Sequence, residues 1–207
     1  MLKVGLTGNY GMGKSSVAGM FKDLGAVTID SDDIVASLLN EEAIKGQIMG
    51  LLGVDTVDAD GNLDKKYIAN KIFNNKILRA KIEALLHPLV FVKVESIVKK
   101  IRGRNRIVIV EVPLLFEGGY QQQFNKTITI FADRKTALSR LKKSGVSRKD
   151  VLVRLRNQMD IRTKVRLADY CIDNSGTRRQ TEAQVSKIFQ LLIAENRKQL
   201  SKGQHRP

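Results

Sequence analysis

One cysteine in 207 residues excludes an intrachain disulfide and every multi-cysteine zinc site, and the apolar setting of Cys171 in ADYCID marks a buried, inert thiol. Tryptophan is missing and aromatics are only 5% of the chain, so no platform for stacking bases is evident. Long apolar runs are also missing. The longest, IVIVEVPLLF at 107–116, is too short to span a bilayer and contains Glu111. Acidic residues are in deficit, 21 against 36 Lys and Arg, leaving a formal charge of +15 that concentrates anionic partners. That charge suits phosphorylated small molecules as well as nucleic acid. The basic residues are dispersed instead of forming one recognition stripe, which argues against a specific nucleic-acid partner. Their densest cluster is the tail RKQLSKGQHRP at 197–207, with the composition of a solvated segment. There is no internal repeat, low-complexity stretch or visible linker, so a single domain is expected. The first residues carry a charge at Lys3 and turn at once into a loop motif, the pattern of neither a signal nor a transit peptide; a cytoplasmic protein without a membrane partner is expected.

What is present is GNYGMGKS at 8–15, a complete G-x-x-x-x-G-K-[ST] phosphate-binding loop between the apolar run LKVGLT and the helical pattern SVAGMFKDL. Gly8, Gly11 and Gly13 allow a tight loop whose amides approach phosphate oxygens, and the helix behind them aims its positive end at the anion. Lys14 is placed to bridge the β- and γ-phosphates of a nucleoside triphosphate, and the Ser15 hydroxyl to ligate Mg²⁺. Met12 and Ser16 join the triphosphate-binding set by position.

Strand-like runs at 2–7, 26–30, 107–112, 127–131 and 170–173 alternate with helical patterns, which predicts an α/β fold with a mainly parallel, covered sheet. Gly25 is expected to close the first helix and Ser31 to cap the next. Residues 41–102 hold no convincing strand and read as a helical insertion, with a turn at 58–64 and a kink or break near His87 imposed by Pro88. A last helix over Thr181–Leu200 presents Val185, Ile188, Phe189 and Leu192 to the sheet.

In VTIDSDDI at 27–34 a buried strand ends in Asp30 and is followed by Asp32 and Asp33. Ligands of open α/β sheets collect beyond the carboxyl ends of the strands, so Asp30 and Asp32 are expected to face the crevice of the phosphate loop. One of them can accept the proton of an attacking hydroxyl, although helix capping also explains a D-x-D at such a turn. Glu111 ends the strand RIVIVE, where it suits Mg²⁺ binding through water or the orientation of neighbouring amides.

Four blocks in order, LTGNYGMGKSSVAGMFKDLGAVTIDSDDI, IEALLHPLV at 82–90, VEVPLLFE at 110–117 and ADYCIDNSG at 168–176, resemble the dephospho-coenzyme A kinase family over residues 2–192. The resemblance implies ATP-dependent phosphorylation of the ribose 3′-hydroxyl of dephospho-coenzyme A, on a three-layer P-loop kinase fold with five parallel strands in the order 2-3-1-4-5. It implies a core of about 1–40, 104–133 and 168–200, a helical acceptor-side insertion at 41–103, a lid at 134–167 and the tail 201–207 outside the pattern. By position Asp32 matches the catalytic base, Lys14 and Ser15 the phosphate and magnesium ligands, and Asn174 the adenine-side loop. Asp30, His87, Leu114, Phe116 and Glu117 fall on acceptor-side positions. His87 before a proline also fits a helix-end hydrogen-bond donor, and Leu114 with Phe116 a simple pocket floor. In the arginine-rich segment Arg140 is the candidate for phosphate contact on lid closure. Ser144 stands where the family usually has a second arginine, which brings in Arg148 as an alternative.

Two other classes compete. A nucleoside monophosphate kinase shares the loop and lid but not the HPLV and PLLFE blocks. A GTP-operated switch needs N-K-x-D, and Asn125-Lys126 is followed by Thr127-Ile128.

Overall fold

The computed structural model describes residues 1–58, 60–73, 75–103, 106–143, 145, 151, 155–156 and 158–203. Ser144 and Arg148, in the segment expected to form a lid, and the last four residues of the tail lie outside them. The chain divides into two compact units, one formed by Met1–Asp30 with Arg102–Pro207 and the other by Ser31–Ile101.

The first unit is built on five strands: β1 (Leu2–Thr7), β2 (Val27–Asp30), β3 (Ile107–Glu111), β4 (Lys126–Phe131) and β5 (Tyr170–Asp173). All pairings are parallel, in the order β2-β3-β1-β4-β5. The expected fold class and strand order are therefore found, with each strand within a residue of its apolar run. Every residue of β3 is buried, as a central strand covered on both faces requires. Helix α1 (Lys14–Asp23) packs on one face with the C-terminal helix, which runs Arg178–Gly203. Phe21 and Phe189 meet there, their ring centroids 6.4 Å apart, among Val17, Val185, Ile188 and Leu192. The apolar stripe read from the last helix is thus the stripe that is buried. Gly25 follows α1 with φ +97, and its N–H closes the helix on the Lys22 carbonyl.

At the amino ends of β4 and β5, Asp169 accepts from the Thr127 N–H at 2.8 Å, the Thr127 hydroxyl at 2.9 Å and Lys126 Nζ at 3.3 Å. Burial pushes the Asp169 carboxyl up, but these donors outweigh it and hold the group below its ordinary value. Its contribution to stability is therefore present above the unfolded value and fades as pH falls through the folded one. Asp169→Asn should lower Tm at neutral pH, by ~2–4 °C for each kcal/mol lost. The gap to the parent protein should narrow below about pH 4. Thermal melts at pH 7 and pH 3 check both points; an equal gap at both would remove the carboxylate from the account.

The second unit is helical: α2 (Ser31–Leu38), α3 (Glu42–Leu52), α4 (Lys65–Phe73) and α5 (Lys76–Lys100). Ser31 is the first residue of α2 instead of a cap preceding it. The only extended pairing among the described residues of this unit is a single antiparallel bridge, Val57 to Leu63, flanking the expected turn. Asn75 caps α5, its Oδ1 accepting from the N–H groups of Ile77 at 3.1 Å and Leu78 at 3.0 Å. One expectation needs correction. Pro88 does not break α5, which continues as one element to Lys100. Ile82, Leu86, Val90 and Val94 are buried at intervals of four on either side of the proline, and this continuous stripe outweighs the loss of one backbone hydrogen bond.

Among the described residues the first unit also holds α6 (Arg134–Lys143) and α7 (Ile161–Leu167), and the C-terminal helix is α8. No helix among the described residues is long and apolar enough to cross a membrane.

Candidate active site

Directly after β1 the chain turns through residues 8–13 into α1. Gly13 caps that helix in the left-handed region, φ 86, and offers it no side-chain cap, and the first turn holds no acidic residue. The positive end of the helix is therefore left for an external anion. A Cβ on Gly13 would collide with the Asn174 amide nitrogen, so this position tolerates only glycine for space as well as for φ. Met12 faces the protein, packed with Ala132 and Ala137, and contributes its backbone to the loop. Ser15 and Ser16 are exposed. Lys14 Nζ folds back to donate to the Gly8 carbonyl at 3.0 Å, an arrangement that holds the ammonium over the loop.

The Ser15 hydroxyl donates to Glu111 Oε2 at 3.1 Å, and Glu111 itself is buried. Register places Asp30 beside Glu111 at the carboxyl ends of β2 and β3. Paired residues of parallel neighbours share a face, so the two carboxylates stand on the same side of the sheet. Asp32 and Asp33 follow in the first turn of α2, both exposed, in the other unit. His87, half-buried in α5, also belongs to that unit; burial holds its pKa below the ordinary value, with Glu83 opposing only part of the shift.

On the opposite side of the loop Asn174 acts as a brace. Its Nδ2 donates to the Met12 carbonyl at 2.9 Å and its Oδ1 accepts from the Thr181 hydroxyl at 2.9 Å. Its carbonyl accepts from Arg140 Nη2 at 2.9 Å. Arg140, in the last turn of α6, thus sits beside the phosphate loop, its Nη1 3.6 Å from the place of a Cβ on Gly13. The side chain of Asn174 is committed to the loop backbone, not turned outward.

The turn after β3 carries Leu114 half-buried and Phe116 buried, with Leu115 wholly buried between them. Glu117 is engaged within the protein. Its Oε1 accepts from the Met159 N–H at 2.8 Å and lies 2.8 Å from Lys164 Nζ, whose side chain has 0% exposure. Gln158 Oε1 accepts from the Tyr10 N–H at 2.9 Å, and Asn9 Nδ2 donates to the Met159 carbonyl at 3.1 Å. Gln158, Met159 and Lys164 were not anticipated. The available signal was a lysine at helical spacing from Ile161 and Ala168, on an inward face where a charge is out of place.

A family model described as dephospho-CoA kinase matches residues 2–180. The dephospho-CoA kinase of Aquifex aeolicus is 35% identical over 193 residues, covering 93% of this chain and 98% of the relative. Among solved structures, the TT1252 protein of Thermus thermophilus has a TM-score of 0.82 at 28% identity, over 94% of this chain and 97% of that one. The dephospho-CoA kinase of Campylobacter jejuni has a TM-score of 0.69 at 25% identity, over 94% and 98%. With the phosphate loop, the strand order and this match over most of its length, the chain belongs to the dephospho-CoA kinase family.

Proposed function

We propose that this protein transfers the γ-phosphoryl group of ATP to the ribose 3′-hydroxyl of dephospho-coenzyme A, giving coenzyme A and ADP in the closing step of coenzyme A synthesis, in the cytoplasm. The observation that carries phosphoryl transfer is the uncapped start of α1 at Gly13, with Lys14 over the loop and Ser15 bonded to Glu111 at the same strand ends. Family membership supports the acceptor. On this reading the unit Met1–Asp30 with Arg102–Pro207 holds ATP, residues 134–167 form its lid, and Ser31–Ile101 serves the acceptor.

Amides of Gly8 to Ser16 and Lys14 hold the β- and γ-phosphates, and Asn174 keeps the Met12 carbonyl and Arg140 in place around them. Asp32 takes the proton of the 3′-hydroxyl as its oxygen bonds to the γ-phosphorus, while the bond to the β–γ bridging oxygen breaks and the electron pair leaves with ADP. Asp30, His87, Leu114 and Phe116 make up the acceptor side. The hydroxyl of Ser15 and the carboxylate of Glu111 form a hard-oxygen donor set that suits Mg²⁺, the former as ligand and the latter through water. When bound, Mg²⁺ would neutralise charge on the transferring phosphates.

ADP release measured with dephospho-coenzyme A, AMP, UMP and pantetheine phosphate as acceptors tests the assignment. Substantial turnover is expected with dephospho-coenzyme A alone. Equal or better activity on a nucleoside monophosphate would overturn it.

A further inference from the structure

We propose that Lys164 and Glu117 form a buried positioning pair that sets the phosphate loop for ATP, acting through the Met159 backbone on Asn9 and, beside it, the Gln158 side chain on Tyr10. The proposal rests on ATP being the bound nucleotide.

The connections are continuous within the first unit. Lys164 Nζ is 2.8 Å from Glu117 Oε1 and donates to the Pro113 carbonyl at 2.9 Å. That carbonyl also accepts from the Thr7 hydroxyl at 3.2 Å, at the last residue before the loop. The same Glu117 oxygen receives the Met159 N–H at 2.8 Å. From Met159 the path continues through its carbonyl to Asn9 Nδ2, and Gln158 holds the Tyr10 N–H. Lys164 is itself anchored, because its own carbonyl accepts from the Thr129 hydroxyl on β4 at 3.1 Å. The first two variable residues of the phosphate loop are therefore held by a segment that Glu117 and Lys164 hold in turn.

Stability alone does not account for such a pair. Desolvating an ammonium and a carboxylate cancels much of their attraction, and well-packed apolar residues commonly serve a core as well or better. Burial pushes the Lys164 ammonium down from its ordinary value, with Glu117 opposing the shift. Glu117 Oε2 is buried with no hydrogen-bond partner among the described residues. A pair retained under these conditions fixes a geometry, and the geometry it fixes is that of Met159 against the loop. Glu117 thereby works on the ATP side, through protein atoms, despite its place in the PLLFE block.

The test measures ATP affinity directly, by calorimetry on the full chain without acceptor, and then the separate KM values of ATP and dephospho-coenzyme A. Lys164→Met leaves a buried carboxylate unpaired and is expected to lose Tm, so two further variants separate folding from positioning. Lys164→Met with Glu117→Gln removes both charges and should recover much of that Tm. Asn9→Ala cuts the connection to the Met159 carbonyl without touching the pair. All three should weaken ATP about tenfold and leave the KM for dephospho-coenzyme A within about twofold. If Asn9→Ala and the double variant bind ATP like the parent and only Tm moves, the pair is structural and the proposal fails. If Glu117→Gln raises the KM for dephospho-coenzyme A alone, Glu117 contacts the acceptor and the proposal also fails. Absence of ATP binding by the parent protein would instead overturn the nucleotide assignment on which it rests.

Discussion

Asp32→Asn is expected to lower kcat by roughly 10²- to 10⁴-fold while leaving ATP affinity near that of the parent protein, as loss of one general base should. Asparagine keeps the size and the local hydrogen-bonding capacity of the turn but cannot take a proton at neutral pH. Asp32 lies exposed in the first turn of α2, two residues beyond the end of β2. Asp30 is the rival, because it is in register at the strand ends with Glu111, the carboxylate that accepts from the Ser15 hydroxyl. Asp33→Asn should do little, since the next residue along the helix points elsewhere. Steady-state kinetics of the three single variants decide. Inactive Asp30→Asn with nearly normal Asp32→Asn would move the proton acceptor to Asp30.

The elements legible in the sequence are those whose residue types answer to backbone geometry alone. A loop that turns at Gly13 into an uncapped helix can be written with few other residues, and five apolar runs of strand length define a covered parallel sheet. Pro88 shows the limit of local propensity. A stripe at Ile82, Leu86, Val90 and Val94 carries α5 through the residue that should have broken it. The brace and the buried pair were hidden for a different reason. Asn174 meets Met12 across 162 positions and Gln158 meets Tyr10 across 148, separations that no spacing rule reaches. Lys164 was further concealed by its setting, an arginine- and lysine-rich stretch whose other charges have the composition of a solvated surface. Leu114 and Phe116, read from the sequence as acceptor-side positions or a pocket floor, are half-buried and buried in the turn after β3. The engagement of Glu117 with Lys164 and Met159 became visible only from coordinates.

Arg140→Ala should reduce kcat by about 10³-fold and change the KM for dephospho-coenzyme A far less, because phosphoryl transfer draws its rate from positioning and from positive charge around the transferring group. Arg140 is already beside that group's expected place. Its Nη2 holds the Asn174 carbonyl at 2.9 Å and its Nη1 lies 3.6 Å from where a Cβ on Gly13 would be. The bond to Asn174 fixes one arm of the guanidinium, so less entropy is lost on phosphate contact than in ordering a free arginine. Truncation also removes a donor from Asn174, which braces the loop, so ATP affinity and Tm must be measured alongside kcat. A fall in kcat with both nearly unchanged locates the loss in the transition state. Arg140→Lys supplies a second check, since it keeps the charge but not the planar fork and should recover only part of the rate. Arg148→Ala should be milder than Arg140→Ala. If instead Arg148→Ala is crippled and Arg140→Ala nearly normal, the guanidinium beside Gly13 serves the Asn174 brace and the lid charge comes from Arg148.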